Sequence, residues 1–268
     1  MRPIGVFDSG LGGLTAVRAL EILLPNEDII YFGDTARAPY GACSLGTIDE
    51  YLRQNIAFLR TFDIKLLIIA CGTASAACLP RLDAEYPFPL LGVIEPSVSA
   101  AAAATKNGRV GLIATEATVS SRVYEITMRA QAPEITVTAR ACPLLAPLVE
   151  NGRGQKGDTD VEILVREYLR PIMTDGVDTL ILGCTHYPLL SDVIRDILGD
   201  GVNLVDSGEM AARAAAEWLY SDGESSQVPG MQWYFVSDKP EAFAKNAALY
   251  LGQPLGGSVQ QVDIEPYM

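Results

Sequence analysis

Residues 66–76 read LLIIACGTASA, and residues 179–188 read TLILGCTHYP. In both, a run rich in Leu and Ile, of the kind that makes a strand buried on both faces, stops at a cysteine followed by polar residues able to open a helix. The pattern puts Cys71 and Cys184 at the carboxyl ends of parallel strands, at the mouth of a sheet. A helix N-terminus nearby favours thiolate over thiol, and the thiolate is the form of cysteine that acts as base or nucleophile. Two such thiols facing one pocket would form a symmetric pair of proton carriers.

Outward from these segments, strand-like and helix-like stretches alternate along the whole chain. RPIGVF precedes GLTAVRALEILL, EDIIYF precedes TIDEYLRQNIAFLRTF, and PLLGVI precedes PSVSAAAAATK; RVGLIA, ITVTARA, DTLILG, VNLVD and MQWYFVS are each followed by helical sequence. This βα repetition predicts an α/β protein with mostly parallel sheets. The alanine run Ala100–Ala104 reads as a closely packed helix, since alanine is the best helix former. Residues Asn151 to Asp158 read as a surface loop. Because the two cysteine strands resemble one another, the chain is expected to form two similar lobes with a cleft between them.

The bulk composition narrows the function. With 268 residues and 49% hydrophobic content, the chain has ample core. No apolar run reaches the roughly 20 residues of a bilayer span, and MRPIGVFDSG leads straight into a strand, so a cytoplasmic location is expected. Five cysteines without paired short-loop spacing are expected to be reduced thiols. A formal charge of −13 opposes broad electrostatic binding to nucleic acid or anionic membranes. A small anionic substrate remains compatible with it, because helix ends act locally.

Several further residues carry candidate chemistry. FDSGLGGLT places Asp8 and Ser9 at the end of the first strand, before a glycine-rich turn able to hold an anion. The turn lacks the Lys-Ser/Thr ending of a P-loop and the spacing of the dinucleotide fingerprint, so neither ATP nor NAD is predicted. YFGDTARAPYG puts Asp34, Arg37, Pro39, Tyr40 and Gly41 in a loop at a strand's carboxyl end, where open α/β sheets bind ligands. Arg37 could fix a substrate carboxylate or pair structurally with Asp34. Thr73 and Ser75 follow Cys71 and could hold a carboxylate; Thr185 and His186, the single histidine, follow Cys184. Cys43, Cys78 and Cys142 read as small core residues. Cys71, Cys184 and His186 supply neither CxxC nor HxxxH spacing, which argues against zinc. Lys65, Lys106, Lys156, Lys239 and Lys245 fall in charged or loop-like surroundings, which argues against pyridoxal, so no cofactor is expected. An ordinary thiol with a pKa of about 8.5 is only a few per cent ionised near pH 7, so a thiol base needs activation from helix ends, Asp8 or His186.

The blocks IGVFDSGLGGLTAVR, YFGDTARAPYG, ACGTASA, GVIEPSVSAA, VGLIATEATVSS, ACPLLAPLVENG and TLILGCTHYPLL, in this order from Ile4 to about Ala212, resemble the cofactor-independent glutamate racemases of the aspartate/glutamate racemase superfamily. The resemblance implies a two-base mechanism: one cysteine thiolate removes the α-proton from one face, and the other thiol returns a proton to the opposite face. Cys71 and Cys184 match that pair. Asp8 and His186 match the auxiliary proton-handling groups, and Glu150 matches a further polar cleft residue. Ser9, Pro39, Tyr40, Gly41, Gly72, Thr73, Thr118 and Thr185 match substrate-holding positions. The family fold implies two α/β lobes, residues 1–97 with 207–268 and residues 98–206, the second inserted within the first.

The implied role is interconversion of L- and D-glutamate, which supplies D-glutamate for peptidoglycan synthesis and hence for the cell wall and cell shape. Family members are often dimers, which makes a homodimer one assembly open to this chain. One departure stands out. Where the family usually has Asn after the first cysteine, this chain has Gly72. The missing amide removes a hydrogen bond typically worth about 0.5–1.5 kcal/mol, or about 1.5–3 kcal/mol to a charged partner. Two alternatives follow: a racemase of aspartate or another amino acid, or a low-activity homologue acting as a protein-binding regulator.

Overall fold

A computed structural model describes residues 2–82, 85–222 and 228–267. All strand pairings are parallel, in two sheets. The first sheet runs β10-β9-β2-β1-β3-β4. It is built from β1 (Ile4–Asp8), β2 (Ile29–Gly33), β3 (Leu66–Ile69), β4 (Leu90–Gly92), β9 (Gln232–Val236) and β10 (Val259–Gln261). The second runs β6-β5-β7-β8, from β5 (Arg109–Ala114), β6 (Thr136–Ala141), β7 (Thr179–Leu182) and β8 (Asn203–Asp206). The second sheet therefore interrupts the first in sequence, between β4 and β9.

Side-chain alternation explains how one strand serves two helical layers. Ile4, Val6, Tyr31 and Ile68 face a core shared with α1 (Leu14–Leu23), α10 (Ser207–Asp222) and α11 (Pro240–Leu251). Phe7, Phe32, Leu67 and Ile69 face the other way, onto Ile48, Leu52, Ile56 and Leu59 of α2 (Leu45–Arg60). The first of these cores continues through α4 (Ile94–Ala104) into the second sheet, so the two lobes share one apolar interior. The central strands β1, β3 and β7 are fully buried, as runs of Val, Ile and Leu without alternating polar residues require.

The structure differs from the sequence reading in four places. The short edge strand β10 was not foreseen; VQQ carries almost no strand pattern. After Cys184 the chain makes a 3-10 turn at Tyr187–Leu190, with Pro188 in its first turn, before α9 (Ser191–Leu198). Lys65 is not in loop-like surroundings but buried, ion-paired with Glu27 at the amino end of the first sheet. Cys142 is a buried core residue as expected, whereas Cys43 is half-buried, its sulfur donating to the Pro39 carbonyl at 3.8 Å. The side chain of Cys78 lies outside the described residues.

Candidate active site

The carboxyl ends of both sheets point at one cleft. β1 delivers Asp8 and Ser9, β3 delivers Cys71, and β7 delivers Cys184, Thr185 and His186. Asp8 is fully buried, and its carboxylate accepts the Gly10 N–H at 2.9 Å, while the Tyr31 hydroxyl donates to the Gly10 carbonyl at 2.8 Å. These bonds fix the glycine turn. Burial pushes the Asp8 carboxyl above its ordinary range, partly offset by the nearby His186.

The turn is also where the second lobe lands. A Cβ at Gly12 would lie 2.0 Å from Thr185 Oγ1 and 2.9 Å from the His186 ring, so only glycine lets the strand end of β7 seat there. Thr185 donates to Asp8 Oδ1 at 3.4 Å across the cleft. Asp8 and His186, 178 positions apart in the chain, thus share one buried pocket.

Around Cys184 the polar partners form a chain. His186 Nδ1 lies 3.6 Å from Cys184 Sγ, and His186 Nε2 lies 2.9 Å from Glu150 Oε1, at the end of α7 (Leu145–Glu150). A neutral imidazole has one N–H and could serve only one of these two acceptors; the imidazolium serves both. Burial works against the charge, but the bonds to Cys184 and Glu150 outweigh it and carry the His186 pKa up to about 10. Tyr250 of α11 packs edge-on against the ring, with centroids 5.7 Å apart.

Cys71 is different. It sits at the start of α3 (Gly72–Leu82), its carbonyl accepting the Ser75 N–H at 2.9 Å, yet burial and the adjacent Asp8 push its thiol up to about 12. The expected lowering by the helix N-terminus is outweighed, because desolvating a thiolate costs more than partial dipole charges return. Its Sγ donates to Ser9 Oγ at 3.5 Å.

The other wall of the cleft is a ladder of hydroxyls. Thr73 Oγ1 lies 3.0 Å from Thr115 Oγ1, which lies 3.0 Å from Thr118 Oγ1. Thr115 caps α5 (Glu116–Ser121), and a Cβ at Gly41 would come within 3.3 Å of it. Pro39 and Tyr40 lead into Gly41, and the loop is held from beneath: the Tyr40 hydroxyl donates to Asp34 and accepts from Asn55 at 2.9 Å. Arg37 is committed to Asp34, Gln54 and Asn55 and stacks on Tyr51, so it is structural and does not reach the cleft. Ser75 also turns away, donating to the Ile69 carbonyl at 2.8 Å. Side-chain contacts join Asp8 to Thr185, Cys71 to Ser9, Cys184 to His186 and His186 to Glu150, and Thr73 to Thr118 through Thr115. Sequence reasoning missed Thr115 and Tyr250; Thr115 had a visible signal, since it too ends a strand and caps a helix.

Among the described residues, no three His, Cys, Asp or Glu side chains are grouped to hold a metal ion, and no helix is long and apolar enough to cross a membrane.

Two α/β lobes, with a thiol just past the end of a parallel strand in each, thus meet at one site. The chain belongs to the Asp/Glu/Hydantoin racemase family, whose profile matches residues 17–215. It is 47% identical over 270 residues to the glutamate racemase of Geobacter metallireducens, covering 98% of this chain and 97% of that one. It is 43% identical over 266 residues to that of Syntrophus aciditrophicus, with the same coverage. Its structure is similar to a Bacillus anthracis glutamate racemase, with a TM-score of 0.93, 37% identity and coverage of 98% and 97%. A Francisella tularensis glutamate racemase in complex with D-glutamate matches with a TM-score of 0.91, 35% identity and 99% coverage of both chains.

Proposed function

We propose that this protein is a cofactor-independent glutamate racemase working through Cys71 and Cys184. The observation that carries the reading is the pair of strand-end thiols, one per lobe, each with its own polar partners. They are near enough that charge on Cys184 raises the Cys71 thiol.

Two-base racemisation needs one thiolate and one thiol at the start of a turnover, and the site is built asymmetrically in that sense. The His186 imidazolium stands 3.6 Å from the Cys184 sulfur, and that ring is held by Glu150. Cys71, buried against Asp8, holds its proton. The Cys184 thiolate takes the α-proton and becomes a thiol, leaving the electron pair delocalised into the substrate carboxylate. The Cys71 S–H then protonates the opposite face and becomes the thiolate. The opposite enantiomer reverses the roles, and Asp8 and His186 exchange protons to reset the pair. The backbone and hydroxyls of Ser9, Pro39, Tyr40, Gly41, Thr73, Thr118 and Thr185 hold the substrate's carboxylates and ammonium.

With this reading go the lobe division 1–97 with 207–268 and 98–206, a cytoplasmic location, a homodimer, and supply of D-glutamate to peptidoglycan synthesis. The aspartate alternative loses its motive, because the place of the absent Asn side chain is filled by the Gly183 carbonyl rather than left as room for another substrate. Two intact thiol settings also leave the binding-regulator reading without support.

The test is circular dichroism of the purified protein with L-glutamate and then D-glutamate in deuterium oxide, with proton NMR at Cα. Racemisation with exchange from both sides is expected. Well-folded protein that leaves both enantiomers unchanged would sink the proposal.

A further inference from the structure

We propose that Gly72 is a positioning residue: its bare Cα is the stop against which the two lobes close, and it thereby sets the separation of Cys71 and Cys184. The inference rests on the racemase reading for its kinetic consequence, but its geometry stands apart from it. A Cβ at position 72 would lie 2.5 Å from the Gly183 carbonyl oxygen, almost 1 Å inside the shortest ordinary van der Waals contact of 3.4 Å. Both atoms of that contact belong to the backbone next to a thiol, Gly72 following Cys71 and Gly183 preceding Cys184.

Neither side can yield easily. Gly72 opens α3, and the Ser75 N–H holds the Cys71 carbonyl just before it. Gly183 is fixed by its N–H to the Ile113 carbonyl at 2.8 Å, and a Cβ on Gly183 itself would meet Leu112 at 2.8 Å. A side chain at 72 therefore presses on the backbone just before Cys184 from the residue just after Cys71, and pushes the lobes apart there. The contact at Gly12, where Thr185 seats, would open with it. This turns the departure of the ACGTASA block from the usual asparagine into a geometric feature of this chain. Restoring that asparagine is expected to lower turnover, not to raise it.

The experiment compares wild type with Gly72→Ala and Gly72→Asn, and with Gly46→Ala as control, since a Cβ at Gly46 meets nothing within 4 Å. Two quantities are read: kcat and KM for glutamate in both directions, and the alkylation rates of Cys71 and Cys184 by iodoacetamide without substrate, followed by mass spectrometry. In the closed arrangement both thiols are almost fully buried, at 5% and 7% exposure. The expected result is faster alkylation of both thiols in Gly72→Ala and more so in Gly72→Asn. A fall in kcat of about tenfold to a hundredfold should accompany it, of the size that a 1 Å misplacement of reacting groups produces. KM should change less, and Gly46→Ala should match wild type. Gly72→Ala guards against a folding failure of the larger variant, and melting curves check both. Unchanged alkylation in both variants, or a rise in kcat on restoring asparagine, overturns the proposal. Accelerated alkylation in a protein whose wild type does not racemise glutamate leaves the closing stop in place and overturns the racemase reading instead.

Discussion

Glu150→Gln isolates the charge that holds His186. The substitution keeps the side chain's length and an oxygen able to accept from Nε2 at the 2.9 Å contact, and removes the negative charge. A hydrogen bond to a charged partner is worth about 1.5–3 kcal/mol and a neutral one about 0.5–1.5 kcal/mol, so the change removes about 1 kcal/mol. The Glu150 side chain is 41% exposed, which keeps the effect at that lower end through solvent screening. At about 1.4 kcal/mol per pKa unit, His186 should fall by about one unit from its position at about 10. It should still titrate well above 6.5, because the Cys184 sulfur remains beside Nδ1. The assay is direct, since His186 is the only histidine: imidazole nitrogen chemical shifts followed from pH 6 to 11 need no assignment. The folded pKa lies above the unfolded one, so His186 contributes stability that is fully present below about pH 6.5 and is lost as pH rises through about 10. Glu150→Gln should bring the upper end of that window down. A wild-type His186 titrating at or below 6.5 would refute the reasoning, since burial would then have won over both partners. A variant with no shift would refute the part assigned to Glu150.

Asp8→Asn should separate function from stability. Burial raises the Asp8 carboxyl in the fold, so the ionised form costs stability at neutral pH, and that cost disappears as pH falls through the folded pKa. The amide should raise Tm while abolishing racemisation; a lower Tm with activity intact would contradict this. Lys65→Met removes the Lys65 ammonium from the buried Glu27 carboxylate, at the amino end of the sheet and far from the thiols. Urea denaturation should show a lower midpoint, with KM unchanged in the folded fraction.

Much of this architecture is visible in the sequence because buried parallel strands need unbroken apolar runs, and each such run announces its carboxyl end by stopping at a polar residue. That is how Asp8, Cys71 and Cys184 stand out. Thr115 belongs to the same class, but threonine is so ordinary a helix cap that its bridging position between Thr73 and Thr118 is visible only in three dimensions. The thiol electrostatics were beyond local reasoning for a different cause. The helix N-terminus at Cys71 is local, whereas the burial that overrides it comes from packing among residues distant in the chain, such as Phe7 and Tyr40, and the charge beside it from Asp8, 63 positions away. Lys65 shows the converse: its sequence neighbours gave no sign of Glu27, which pairs with it only because β2 and β3 both flank β1. VQQ at 259–261 becomes a strand because β9 presents a free edge to it, not because its residues favour one.

The central claim is that the two thiols act on opposite faces of the same carbon. Deuterium wash-in at Cα, measured separately for L- and D-glutamate with Cys71→Ala and with Cys184→Ala, tests it most directly. Each variant retains one base, so neither should racemise; one should exchange the α-proton of one enantiomer only, and the other that of the opposite enantiomer. A single variant that exchanges both enantiomers, or that still racemises, would contradict the two-thiol account.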